Sequence, residues 1–319
     1  MAPSLTGKRI CVTGGAGFLG RAVCARLRAC AAGAVFVPRS REFDLTDAGA
    51  ARRMLETAEP EVVIHLAAEV GGIGANQRQP GRFFYANMAM GLNLIEQCRL
   101  RGVEKLVMVG TVCAYPKHCP APFREADLWS GFPEETNAPY GVAKRALSTM
   151  LAAYRAQYGF NGVYLVPVNL YGPGDNFDLE TSHVIPALIR KFCEAVGQRL
   201  DTVTCWGTGK VSREFLYVDD AAEAIVAAAA VHNDPAPINL GTGREITIAD
   251  LARKIAGLCG YSGRIEWDPS RPDGQPRRVL DTSRATALLK WCTLTSLDEG
   301  LEQTIAWWRT RAADRVISP

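Results

Sequence analysis

The chain has 319 residues, 48% hydrophobic and 22% charged, enough apolar material for one large domain or two unequal ones. A net charge of +3 gives no reason to expect a nucleic-acid or membrane partner, and no apolar run approaches the ~20 residues of a bilayer span. Ten scattered cysteines without a C-x-x-C pair, and an N-terminus without signal-peptide shape, predict reduced thiols in a cytoplasmic protein. Four histidines, none at H-x-x-x-H spacing, predict no metal.

Residues 9–13 read as a short apolar strand that breaks into Gly14-Gly15-Ala16-Gly17-Phe18-Leu19-Gly20, after which Ala22, Val23, Ala25, Leu27 and Ala31 continue a helical pattern. Strand, glycine turn and helix form a dinucleotide-binding signature, here G-x-x-G-x-x-G. Gly14 would allow the tight turn, Gly17 the approach of a pyrophosphate and Gly20 close helix–strand packing. The helix N-terminus would offer its N–H groups to the phosphate. Strands are then expected at 34–37, 62–68, 105–110 and 163–168, and helices at 48–58 (after Asp47), 84–100 and 143–158. This alternation predicts an α/β fold with a doubly wound parallel sheet and ligands at the carboxyl ends of its strands.

Within that pattern, Pro139 suits the first turn of a helix, and Tyr140 and Lys144 share one of its faces. A lysine ammonium beside a phenol is expected to stabilise the phenolate and bring down a pKa ordinarily near ~10. Tyr140 would then trade a proton with a sugar or alcohol oxygen while a hydride moves on carbon. After Asn169 the pattern changes. A turn-rich loop at 171–177 leads to a helix at 184–195; Asp219 is expected to cap an alanine-rich helix at 221–231. Further helices are expected from 246 to 258 and from 297 to 309.

The glycine turn together with Tyr140-x-x-x-Lys144 resembles the extended short-chain dehydrogenases/reductases, the nucleotide-sugar epimerase and dehydratase group. His65-Leu66-Ala67-Ala68 is similar to that family's strand end beside the cofactor, and Gly110-Thr111 stands where the family carries the hydroxyl partner of its tyrosine. The resemblance runs along nearly the whole chain. It implies a Rossmann dinucleotide-binding domain in residues 1–170 and, in 171–319, a smaller substrate-binding lobe with segments returning to the main sheet. It also implies a homodimer through the Tyr140–Lys144 helix, where Leu147, Met150, Leu151 and Tyr154 suit either an interface or the core.

Further stretches resemble the GDP-fucose synthase branch: Val70-Gly71-Gly72-Ile73-Gly74-Ala75-Asn76, Cys113-Ala114-Tyr115-Pro116-Lys117, and the run from Asn169 to Phe177. To these are added the run from Ser182 to Arg190, and Trp206-Gly207-Thr208-Gly209 leading to Arg213-Glu214-Phe215. By that resemblance Cys113 and His183 would be the base and acid that epimerise C3 and C5 of a GDP-4-keto-6-deoxyhexose. Tyr140, with Lys144 and Thr111, would serve an NADPH-dependent reduction at C4. Carbons flanking a ketone are acidic enough for this, and a Cys beside a cation or helix end can act as thiolate.

The same resemblance implies cofactor contacts from Gly14, Gly17, Phe18, Leu19 and Gly20, and from Asp44 and Leu45 at the adenine. Leu66, Ala67, Ala68, Pro167, Leu170 and His183 would complete that surface, with Tyr140, Lys144 and Asn169 at the reacting end. An NAD enzyme usually places a carboxylate after its second strand, whereas here Arg39, Ser40 and Arg41 come before any acid; this points to NADP over NAD. For a nucleotide-diphosphate sugar, Arg190, Arg213 and Arg278 are candidate diphosphate ligands, Asn169 a sugar or diphosphate ligand, and Trp206 a stacking platform or a core residue. Residues 271–278 read as a loop, either a solvated charge run or part of that diphosphate site.

Thr111-Val112-Cys113, Glu69 and the acidic Glu134-Glu135 depart from the usual pattern of the branch. A second reading is therefore a redox-neutral, NAD-dependent 4-epimerase of another sugar nucleotide, a hexose or heptose. A non-catalytic dinucleotide sensor ranks last, because Tyr140 and Lys144 are both present.

Overall fold

The computed structural model describes residues 5–317. In chain order the strands of its first half are β1 (Ile10–Thr13), β2 (Val35–Phe36), β3 (Val62–His65), β4 (Lys105–Val109) and β5 (Gly162–Pro167). The second half adds β6 (Asn169–Tyr171), β7 (Thr202–Trp206), β8 (Ser212–Tyr217), β9 (Ile238–Leu240), β10 (Glu245–Thr247) and β11 (Arg264–Asp268). Six of them form an all-parallel sheet in the spatial order β2-β1-β3-β4-β5-β9. Every residue of β1, β3, β4 and β5 is buried, as strands covered on both faces require. The chain steps outward from β1 to β2 and then crosses back to β3, which opens a crevice between the carboxyl ends of β1 and β3.

The first helices are α1 (Phe18–Ala29), α2 (Ala48–Ala58), α3 (Ile73–Arg78), α4 (Pro80–Leu100) and α5 (Ala138–Tyr158). They are followed by α6 (Val184–Gln198), α7 (Val218–Val231), α8 (Ile248–Cys259), α9 (Ser283–Leu289) and α10 (Leu297–Ile317). α1 packs on α7, and α4 on both α2 and α5, giving the two helix layers of a doubly wound sheet. Asp47 caps α2 by accepting from the Ala50 N–H at 2.6 Å, and Gly159, in the left-handed region, ends α5.

Several boundaries differ from the sequence-based expectation, each for a local reason. α4 and α5 begin earlier because a proline in the first turn starts each of them. β3 stops at His65, which leaves residues 66–68 as a loop over the crevice. Asp219 does not cap α7: the helix starts at Val218, so Asp219 and Asp220 lie in its first turn, where carboxylates complement the helix dipole. Residues 245–247 pair with β8 as a strand, and Thr247 then caps α8 by accepting from Asp250 N–H at 3.0 Å.

A second hydrophobic cluster begins at Tyr171 and includes Phe192, Leu251, Ile255 and Leu301, with Phe177 stacked on Trp308 at 4.4 Å. It supports the sheet β10-β8-β6 and the parallel pair β11-β7. The chain returns to the main core through α7, through β9 beside β5, and through Leu280, Ala285, Leu289 and Trp291. None of the described helices is long and apolar enough to cross a membrane, and no cluster of metal-ligating side chains occurs among the described residues.

Leu147 and Leu151 of α5 are fully buried in the main core, and Met150 and Tyr154 pack partly buried against it. Leu147→Ala should therefore cost about 2–5 kcal/mol in urea unfolding. A loss below about 0.5 kcal/mol would show that the α4–α5 packing does not hold Leu147 in the core.

Candidate active site

One cavity of about 1500 Å³ extends from the carboxyl ends of β1, β3 and β4 into the smaller lobe. At its sheet end Gly14 has φ +72°, and a Cβ there would lie 2.7 Å from the Ala67 nitrogen. Only glycine suits that turn. Gly17, Phe18, Leu19 and Gly20 line the cavity where α1 begins, so the first N–H groups of the helix face a cradle suited to a pyrophosphate. Arg39, Ser40 and Arg41 line the adjoining wall, together with Asp44 and Leu45. The Thr46 N–H and hydroxyl, at 2.9 and 2.8 Å, hold the Asp44 carboxyl below its ordinary range. Leu66, Ala67, Ala68, Pro167, Asn169 and Leu170 complete this surface. The residues present fit a nicotinamide dinucleotide.

Thr111, Cys113, Tyr140, Lys144 and His183 converge further in. The packing of α5 on the short turn after β4 brings the first four together, while His183 comes from the start of α6. A Cβ on Gly141 would sit 2.4 Å from the Cys113 carbonyl oxygen, so only a glycine lets the helix come this near. Thr111 Oγ1 accepts from the Cys113 N–H at 3.2 Å, and the Lys144 ammonium donates to the Val109 carbonyl at 3.2 Å.

Burial changes the expected electrostatics. Tyr140 is raised above the ordinary phenol value, first by burial and then by Cys113, with a hydrogen bond to Thr111 offsetting part of the effect. The expected phenolate is thus replaced by a phenol that keeps its proton. The same burial lowers Lys144 to about 8. His183, at the N-terminus of α6, is held below its usual value by burial and by the charge of Arg278.

Arg278 ties the two ends of the site together. Its guanidinium lies 3.6 Å from the Cys113 sulfur and 3.4 Å from Asn169 Oδ1, while its Nε donates to Gln275. Gln275 in turn donates to the carbonyls of Pro116 and Lys117, so residues 271–278 are folded into the site. Arg213, lowered to about 9 by burial and by Arg278, donates to the carbonyls of Ser212 and Asp273. Both guanidiniums are buried, and neither pairs with a carboxylate among the described residues. Trp206 is about half exposed and lines the cavity with Arg271 and Lys191 over its ring, so it is not core.

Arg190 is the sequence candidate that the fold keeps away. It pairs with Glu194 and the Phe177 carbonyl and does not line the cavity; its neighbour Lys191 does. Val184, Ile185, Pro186, Ala187 and Leu188 of α6 line the cavity with Lys191, whereas Arg190 does not. Sequence reasoning also passed over Asp175 and Ser182, which line the cavity with one unpartnered buried oxygen each; burial raises Asp175 to about 7. Of the acidic residues that depart from the pattern, Glu69 is clamped by Arg82 at 2.6 and 2.7 Å. Glu134 holds Asn137 at 2.8 Å, on the cavity wall at the start of α5.

A model of the NAD dependent epimerase/dehydratase family matches residues 10–241. A GDP-L-fucose synthase of Sinorhizobium fredii is 41% identical over 312 residues, covering 97% of this chain and 98% of that protein. Among solved structures, a GDP-L-fucose synthetase from Naegleria fowleri bound to NADP aligns with a TM-score of 0.89 at 29% identity, covering 98% of each chain. A GDP-6-OMe-4-keto-L-xylo-heptose reductase from C. jejuni aligns equally well, at 0.89 and 28% identity, over 98% of this chain and 100% of that one. With the family model spanning most of the sequence and that relative aligned along nearly all of it, the chain belongs to the NAD dependent epimerase/dehydratase family.

Proposed function

We propose that the chain is a GDP-sugar epimerase/reductase of the GDP-L-fucose synthase kind, which inverts C3 and C5 of a GDP-4-keto-6-deoxyhexose and reduces C4 with NADPH. The observation that carries this reading is the convergence of Cys113, His183 and Tyr140 on one cavity, with Arg278 against the Cys113 sulfur. A redox-neutral 4-epimerase needs the tyrosine and lysine but has no use for the cysteine and histidine.

Cys113, beside the Arg278 guanidinium, removes a proton from the carbon next to the ketone. His183, whose neutral form is favoured by burial and by Arg278, first takes up a proton and then returns one to the resulting enolate. Tyr140, kept as a neutral phenol by its burial, then gives its proton to the C4 oxygen as the ketone is reduced. Thr111 and the Lys144 charge steady the phenolate left behind. A nicotinamide dinucleotide held in the glycine cradle supplies the hydride for this reduction. Arg39, Ser40 and Arg41 support NADPH, because a 2′-phosphate would meet guanidinium and hydroxyl groups there. The two buried guanidiniums of Arg213 and Arg278 suit the sugar diphosphate, and Trp206 with Lys191 suits its base. Exposed Tyr85, Leu92 and Leu100 on α4 and Tyr158 on α5 support a homodimer formed through these helices.

The decisive experiment is mass spectrometry after incubation with NADPH and GDP-4-keto-6-deoxymannose in D₂O. Deuterium at C3 and C5 with NADPH consumed is expected; no exchange and no consumption, with NAD⁺ retained by the protein, would replace this reading with the redox-neutral 4-epimerase. In the same assay Cys113→Ser should incorporate no deuterium, and unchanged labelling would remove Cys113 as the base. Tyr140→Phe should lower reduction about 10²–10⁴-fold while NADPH still binds with wild-type affinity; retained turnover would remove Tyr140 from the mechanism. The kcat/KM profile should fall as pH rises through about 8, where Lys144 loses its proton. Lys144→Arg should move that limb upward, and a limb left in place would assign it to another group.

A further inference from the structure

Two thiols outside the candidate site touch one another. Cys193 of α6 and Cys259 at the end of α8 have their sulfurs 3.5 Å apart and share a hydrogen bond, the one such pair of thiols among the described residues. They meet at a separate small pocket of about 190 Å³, lined also by Val196, Trp308 and Arg309. Cys193 is half-buried and Cys259 buried. Arg309 is held beside them by its bond to the Cys259 carbonyl at 3.0 Å. The hydrogen bond from Cys259 and the Arg309 charge keep the Cys193 thiol below its ordinary value, while the thiol of Cys259 is raised. The pair therefore has one nucleophilic sulfur at a solvent-reachable pocket and one resolving sulfur behind it.

We propose that Cys193 and Cys259 form a peroxide-sensitive dithiol that closes reversibly to an intramolecular disulfide. The Cys193 thiolate attacks one oxygen of a small peroxide such as hydrogen peroxide. The O–O bond breaks, the departing hydroxide takes up a proton as water, and Cys193 becomes a sulfenic acid. The Cys259 sulfur then attacks the sulfenic sulfur. The S–O bond breaks, and hydroxide leaves with the Cys259 proton as a second water. Two thiols have lost two electrons and one peroxide has become two waters. Bond formation draws the sulfurs from 3.5 Å to about 2 Å, an approach between α6 and α8. Both helices reach the main cavity, α6 through Lys191 and α8 through Ile248, so the bond would join two of its walls.

The test treats the intact protein with a small excess of hydrogen peroxide, blocks free thiols with N-ethylmaleimide and maps the digest by non-reducing mass spectrometry. The expected product is a Cys193–Cys259 linked peptide that dithiothreitol removes. Cys259→Ser should leave Cys193 as a sulfenic acid that dimedone captures, and Cys193→Ser should give neither product. The exposed Cys30 and Cys292 serve as internal references. Maleimide on both Cys193 and Cys259 when these references are oxidised would overturn the proposal. So would oxidation of Cys193 to sulfinic acid in the wild-type protein without a link to Cys259.

Discussion

The contact between α5 and the turn after β4 governs the geometry of the reactive centre. Gly141 lets the Cys113 carbonyl approach to where any side chain would stand, and Tyr140 precedes it on the helix. Cys113 and Tyr140 are thereby held side by side, with Thr111 joining both: its hydroxyl accepts the Cys113 N–H and bonds the phenol. One turn further along α5, Lys144 reaches the end of β4. A single helix–turn contact thus positions a phenol, a thiol, a hydroxyl and an ammonium, and the buried Leu147 and Leu151 fix the helix that makes it.

Positive charge accumulates around this centre without an ion pair among the described residues, although Asp273 and Glu134 lie near enough to favour the charged form of Arg213. Lys144, Arg213 and Arg278 are all buried, and burial works against the charged form of Lys144 and Arg213. Backbone carbonyls of Val109, Ser212 and Asp273 satisfy some of their donors but bring no full countercharge. Buried cations without an ion-pair partner are costly, typically by several kcal/mol each. Arg213 and Arg278 repel one another, and an anion placed between them would relieve that repulsion.

Much of this was legible in the amino-acid sequence where the determinants are local. The glycine turn and the Tyr140–Lys144 spacing each lie within a few residues, and strand–helix alternation is a periodic signal. What was not legible depends on partners far away in the chain. The choice of Lys191 over Arg190 is a rotation of about 100° on α6, and it is decided by which face meets the second core. The state of Tyr140 follows from how deeply α5 is buried, which the spacing of two residues does not report. Residues 271–278 have the composition of a solvated loop; their hydrogen bonds run to Pro116, Lys117 and Asn169, more than a hundred positions away. Asp175 and Ser182 sit in a turn-rich loop whose sequence gives no sign that two oxygens face inward unpartnered.

Because Arg278 meets Cys113 from so late in the chain, that contact can form only after most of the protein has been synthesised. On the ribosome the parallel sheet up to β5 and the α5 contact can form while Arg278 has yet to emerge. At that stage the thiol is already beside Tyr140 but lacks its Arg278 neighbour. The nascent chain can therefore build its glycine cradle before the contact between Arg278 and Cys113 exists.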